Sequence, residues 1–124
     1  MLFRSQVKGD SSGSRALGPD HTTTLWAATA LTYALDQLGE AAPARTLGED
    51  TLRRCRRVLG PDHTTTLWTA AALTGALAQL GEADPARELS QDTLQRSQRR
   101  FGPDHPITLY LTQATSDIYA NRHT

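Results

Sequence analysis

Three Asp-His dipeptides, Asp20-His21, Asp62-His63 and Asp104-His105, are the residues in this chain whose types most directly invite chemistry. A carboxylate beside an imidazole is the raw material of a metal site or an acid–base pair. Histidines that share one ion on a helix stand one turn apart, whereas these recur 42 residues apart. They are therefore expected to mark helix starts, and no metal, cofactor or catalytic residue is assigned. Cys55 is the single cysteine, and Ser97 stands at the equivalent position one period later, so a small buried filler is expected and not a nucleophile. The sequence carries no glycine-rich phosphate loop, HExxH or GxSxG motif.

Two other groups of residues could bind a partner. Arg53, Arg54, Arg56 and Arg57 form a basic run, matched by Arg96, Arg99 and Arg100. Such a run can hold an acidic or phosphorylated ligand. It also suits the last turn of a helix, and the pairs Glu49 with Arg53, Asp50 with Arg54 and Asp92 with Arg96 have i,i+4 spacing, so local ion pairing is the preferred reading. The second group is a column of aromatics, Trp26, Trp68 and Tyr110, again 42 residues apart. Large amphipathic rings at one repeated position could anchor a protein partner or plug gaps between successive helices.

These residues depend on the elements that carry them, and the elements come from a repeat. LGPDHTTTLW begins at Leu17 and again at Leu59, and FGPDHPITLY begins at Phe101. The first two 42-residue units are identical at 30 positions, which only a duplicated structural unit explains. The organisation expected is a flexible tail or added segment over 1–16, a unit over 17–58, a second over 59–100, and a half unit or capping helix over 101–124. Gly-Pro-Asp punctuation predicts a helix A starting between residues 20 and 23, capped by Asp20 or a neighbouring threonine, and stopped at Gly39. Pro43 then opens a helix B that ends before Gly60. The apolar stripes predicted are Leu25, Ala28, Leu31, Leu35 and Leu38 for helix A, and Ala44, Leu47, Leu52 and Cys55 for helix B. Shifted by one period they become Leu67, Ala70, Leu73, Leu77 and Leu80, then Ala86, Leu89 and Leu94. For the third copy the stripe is Leu109, Thr112, Thr115 and Tyr119, its polarity suiting a terminal helix. Short links force antiparallel hairpins, and Ala28, Ala30, Ala34 and Ala44 with their counterparts let the hairpins stack closely.

Composition agrees. The chain has 124 residues, 13 basic against 13 acidic side chains, and almost no Val or Ile. A β-rich fold is excluded, and a nucleic-acid or acidic-membrane partner is not expected from a neutral chain. The apolar runs are far too short to span a bilayer and no secretory segment opens the sequence, so a soluble, cytoplasmic protein is expected. The fold class expected is all-α, an α-solenoid of antiparallel hairpins with five helices.

The LGPDH entrance with Thr24-Leu25, then Leu31, Leu35, Gly39-Glu40, Ala44-Arg45, Leu47 and Asp50-Thr51-Leu52, resembles the tetratricopeptide repeat family. Within it, the sequence is similar to the 42-residue branch found in kinesin light chains and in actinobacterial arrays behind NB-ARC nucleotide-switch domains. The resemblance implies a non-catalytic protein-interaction module whose A helices line a concave face. It places in that groove Trp26, Thr29, Tyr33 and Gln37, then Trp68, Ala71, Gly75 and Gln79, then Tyr110, Gln113, Asp117 and Asn121. An asparagine pair that family members use to hold peptide backbones is replaced by Thr29-Ala30, Ala71-Ala72 and Gln113-Ala114. The function expected is binding of a polypeptide on the A-helix face. Alternatives are self-association through the solenoid ends, with Leu25, Leu31 and Leu35 uncovered, or a sensor arm regulating a nucleotide-switch ATPase.

Overall fold

A glycine with a left-handed φ recurs every 21 residues, at Gly18, Gly39, Gly60, Gly81 and Gly102. L side chains rarely adopt that conformation, so each glycine ends one segment and turns the chain into the next. In the computed structural model, which describes residues 18–122 and side chains through residue 120, five helices lie between and after these joints. They are α1 (Thr22–Gln37), α2 (Ala41–Val58), α3 (Thr64–Gln79), α4 (Ala83–Phe101) and α5 (Pro106–Arg122). The segment 1–16 expected as a tail lies outside the described residues.

The starts of the A helices, α1, α3 and α5, are set by histidine. His21, His63 and His105 each accept, through Nδ1, the backbone N–H two residues on, at 3.1, 3.1 and 3.2 Å. This satisfies one of the orphan donors of a first turn. It corrects the expectation that Asp20 or a threonine is the cap. Asp20 instead accepts from Arg54 at 3.0 Å and from Arg57 at 2.8 Å, and Asp62 accepts from Arg96 at 2.8 Å. The aspartate thus clips the end of each B helix to the entrance of its own A helix. The B helices begin two residues earlier than Pro43 indicated, which leaves that proline in the first turn, where its missing N–H costs nothing.

The hairpins α1/α2 and α3/α4 stack, with α5 packed on the second hairpin, an α-solenoid as expected. One core cluster joins Leu52, Ala70, Leu73, Leu77, Ala86 and Ile118; a second joins Leu67, Ala71, Ile107 and Leu111, flanked by Trp68, Leu94, Phe101 and Tyr110. The alanines Ala70, Ala72, Ala76 and Ala86 are fully enclosed, as close stacking requires.

Equivalent positions differ according to their place in the stack. Leu73 is 5% exposed but its counterpart Leu31 is 53% exposed, because no hairpin precedes α1 among the described residues. Leu67 is buried but its counterpart Leu109 is 55% exposed, because among the described residues no helix B follows α5 to cover it. Of the three leucines expected to be uncovered at the first end, only Leu31 is; Leu25 is buried and Leu35 half-buried. Leu38 and Leu80 are also exposed, at the ends of their helices. In α5 the buried face is Ile107, Thr108, Leu111 and Ile118, in place of the predicted Leu109, Thr112 and Tyr119, which are exposed. The third helix therefore buries the side that meets the preceding hairpin.

Between the apolar clusters lies a layer of buried threonines that periodicity of apolar residues does not reveal. Thr29, Thr74 and Thr93 donate to the carbonyl four residues back, at 2.7 to 2.9 Å, and Thr69 lies within reach of both the Thr65 carbonyl and the Thr29 hydroxyl, its one proton serving one of them. Ser97 and Thr108 share a hydrogen bond of 2.5 Å between α4 and α5. The equivalent positions in α2 and α3 are Cys55 and Thr66: the Cys55 sulfur lies 3.8 Å from the Thr69 hydroxyl, and the Thr66 hydroxyl is buried with no partner among the described residues. A buried unpaired hydroxyl costs about 1–3 kcal/mol. Cys55→Ser should therefore raise the urea midpoint by supplying the partner that Ser97 supplies, and Thr66→Val should raise it by removing the orphan. The double variant should gain less than the two gains added, because each change relieves the same defect.

Candidate functional site

The A-helix face carries the aromatic column, and its geometry is set by spacing within α1. Trp26, Thr29, Ala30 and Tyr33 lie three and four residues apart and so share one side of that helix. With Trp68 of α3 they line a cleft of about 320 Å³. Trp26 is 50% exposed, Tyr33 is exposed, and Trp68 and Tyr110 are half-buried beside the second core cluster. Tyr33 meets Trp68 edge to face at 6.5 Å and 76°, and meets Tyr110 at 6.5 Å and 60°. Tyr33 thus bridges two members of the column, a contact invisible in the sequence because its counterparts are Gly75 and Asp117.

The remaining groove candidates divide. Gln37 is exposed at the end of α1, and Gln113 is exposed and donates to Asp117 at 2.9 Å. Asn121 falls within α5, with its side chain outside the described residues. Thr29 lines the cleft but is buried, its hydroxyl bonded to the Leu25 carbonyl at 2.8 Å and to Thr69 at 2.6 Å. Ala71 is buried with Ile107 and Leu111. Thr29 thus lines the cleft and also meets Thr69 of α3, Ala71 is enclosed against α5, and the counterpart Gln113 is exposed.

Beside the aromatic strip sits a polar cluster that the sequence reading missed. Asp36 is buried and accepts from Gln79 Nε2 at 2.6 Å, while the same amide also reaches the Asp36 backbone carbonyl at 2.9 Å. The Tyr110 hydroxyl donates to the same carboxylate. Burial raises the Asp36 pKa above the usual carboxylate value, and the Tyr110 hydrogen bond offsets part of that rise. Tyr110 is pushed up to about 12, first by its own burial and then by the Asp36 charge. The cluster exists because the second copy has Gly75 where the first has Tyr33: a Cβ there would collide with the Asp36 carboxylate and the Tyr110 hydroxyl. A sequence signal was present, since Tyr33/Gly75 and Asp36/Ala78 are among the few positions where the duplicated units differ.

Among the described residues no cluster of three or more His, Cys, Asp or Glu could hold a metal ion, and no helix is long and apolar enough to cross a membrane. Burial raises the Cys55 thiol pKa, which disfavours a reactive thiolate.

Stacked antiparallel hairpins of fixed length, presenting one helix of each pair on a common face, define a helical-repeat solenoid. The tetratricopeptide repeat family model matches residues 24–65 and 66–107, two consecutive 42-residue units that cover two thirds of the chain. The chain belongs to the tetratricopeptide repeat family. No curated protein matches it. Tetratricopeptide repeats are in general protein–protein interaction modules and scaffolds without catalysis of their own.

Two outcomes test the polar cluster. Gly75→Ala should lower stability by about 1–3 kcal/mol in urea unfolding, because the new methyl must displace the carboxylate or the tyrosine. The second outcome is a pH dependence. Since the folded pKa of Asp36 lies above its unfolded value of 3.8, the native state binds more protons between those two pH values. Acidifying from neutral pH into that window should stabilise the wild type relative to Asp36→Asn, read as a growing difference between their thermal midpoints. Asp20 and Asp50 act with the opposite sign: hydrogen bonding to Arg54 is the largest cause holding their pKa values down, so their contribution is lost as pH falls through those lowered values.

Proposed function

We propose that this chain is a non-catalytic binding module that takes a polypeptide partner on its A-helix face. The observation that carries the reading is the cleft between α1 and α3, walled by Trp26, Tyr33 and Trp68. Exposed aromatics around a concavity of that size suit an aromatic or branched aliphatic side chain of a partner. Gln37, Gln79, Tyr110, Gln113 and Asp117 are the polar candidates along the same face, with Thr29 in the cleft lining. A 42-residue period supports placement in the branch similar to kinesin light chains, with units starting at Leu17, Leu59 and Phe101. A sensor arm behind an NB-ARC nucleotide switch is the setting that this similarity suggests. The single unpaired cysteine fits a reducing, cytoplasmic compartment.

A second reading is favoured by the uncovered ends. Leu31 on α1 and Leu109 on α5 are exposed where their counterparts are buried, so a second copy could stack there. Sedimentation across a concentration range separates the two: mass that rises with concentration supports end-to-end association, and a constant monomer argues against it.

The main test is peptide display against the folded domain. Selected peptides should share an apolar anchor, and Trp26→Ala should weaken them by about tenfold or more with its thermal midpoint unchanged, since that ring is half exposed. Undiminished binding by the variant would remove the cleft from consideration. Trp68→Ala should weaken both binding and stability, because Trp68 also supports the second core cluster.

A further inference from the structure

A second concavity lies on the other side, between the B helices. α2 and α4 both pack on α3 and hardly touch each other, which leaves a furrow of about 840 Å³. Its apolar floor is Leu52, Leu73 and Leu89, and its α2 wall carries Arg53, Arg56 and Arg57 with Glu49.

Charge along this wall exceeds what the fold uses. Arg54 is the structural arginine: it joins Asp20 and Asp50 at 3.0 and 2.9 Å, and its counterpart Arg96 joins Asp62 and Asp92 in the same way. Arg53 and Arg57 share those same two aspartates, at 2.9 and 2.8 Å, and remain mostly exposed. Arg56 forms no ion pair among the described residues. Glu49 does not pair with Arg53, as its spacing suggested, but with Arg45, which also reaches Glu82 across the units. Three guanidinium groups thus share two carboxylates at this end of α2, and Arg56 stands beside them without one among the described residues.

The duplication supplies an internal control. Both B helices keep two arginines in the last turn, Arg56 and Arg57 in α2 and Arg99 and Arg100 in α4, yet the counterparts of the furrow-lining Arg53 and Arg56 are Gln95 and Gln98. The units thus differ in where their arginines stand, and in the first unit three of them line the furrow.

We propose that this furrow is a docking site for an acidic amphipathic polypeptide segment, apolar side chains seated on Leu52, Leu73 and Leu89 and carboxylates paired with Arg53, Arg56 and Arg57. Charge complementarity selects the occupant, because an apolar floor alone would accept many. The site is distinct from the A-helix cleft and stands whether or not that cleft binds.

The probe is a fluorescein-labelled helical peptide of glutamate, leucine and alanine, with leucines three and four residues apart, followed by anisotropy with the full chain. Binding should weaken steeply between low salt and about 0.3 M salt, and the peptide with lysine for glutamate should not bind. Arg53→Gln with Arg56→Gln installs residues that the second unit already carries at this strip, so helicity should be retained while affinity falls by about tenfold or more. Trp26→Ala should leave this binding unchanged. The proposal is overturned if the acidic peptide fails to bind the wild type, if the double variant binds it equally well, or if Trp26→Ala abolishes binding and so places the peptide on the A-helix face. It is equally overturned if sedimentation shows that a second copy of the chain occupies the furrow and excludes the peptide.

Discussion

The helix Thr64–Gln79 touches every other helix of the described chain and is covered on all sides but one, and the rest of the structure is arranged by that enclosure. A helix enclosed on so many sides must be made of residues that are small, or that carry their own hydrogen-bond partner. Its run of Thr, Leu and Ala meets both demands: alanine allows close axes, and threonine bonds back to its own helix while offering a methyl outward. The first and third A helices share part of this composition but pack against two helices each in place of four. Their exposed leucines and the partly open aromatic column follow from position in the stack and not from any change in local sequence.

Seen this way, the duplicated units form a comparison built into one molecule. Where the units agree, the residues serve the hairpin: histidine caps, the aspartate that ties the B helix back, the alanines of the stacking face. Where they differ, something individual occurs. Tyr33 against Gly75 and Asp36 against Ala78 make the aromatic bridge and its buried carboxylate; Cys55 against Ser97 leaves one hydroxyl unpaired; Arg53 and Arg56 against glutamines charge one furrow wall. The residues that distinguish this solenoid from an ideal repeat cluster at α3 and its two grooves.

Much of this was legible in the sequence. Helix count, the positions of the joints, hairpin pairing and the aromatic column all follow from the period and its punctuation. Leu109 was misplaced because periodicity reports which side of a helix is apolar, not whether a neighbour is present to cover it. The buried threonines were overlooked because a hydroxyl reads as polar until its bond to its own backbone is seen. Asp20 and His21 exchanged roles for a geometric reason: the imidazole sits next to the first turn, while the carboxylate one residue earlier is free to reach the B helix. The polar cluster and the B-helix furrow require three helices in space, so no single stretch of sequence announces them.

The left-handed glycines at 21-residue intervals have open space around the position of a missing Cβ, so the joints lean on nothing but their own backbone. Each helix consequently starts its face afresh, and an inserted or deleted residue would misalign one helix without passing the error to those beyond the next joint. Loss or gain of a 21-residue segment would exchange an A helix for a B helix, whereas a 42-residue change would restore every face. Length variation in such a chain is filtered by arithmetic before packing is tested, and the near-identity of the first two units is the mark that a whole-unit duplication leaves.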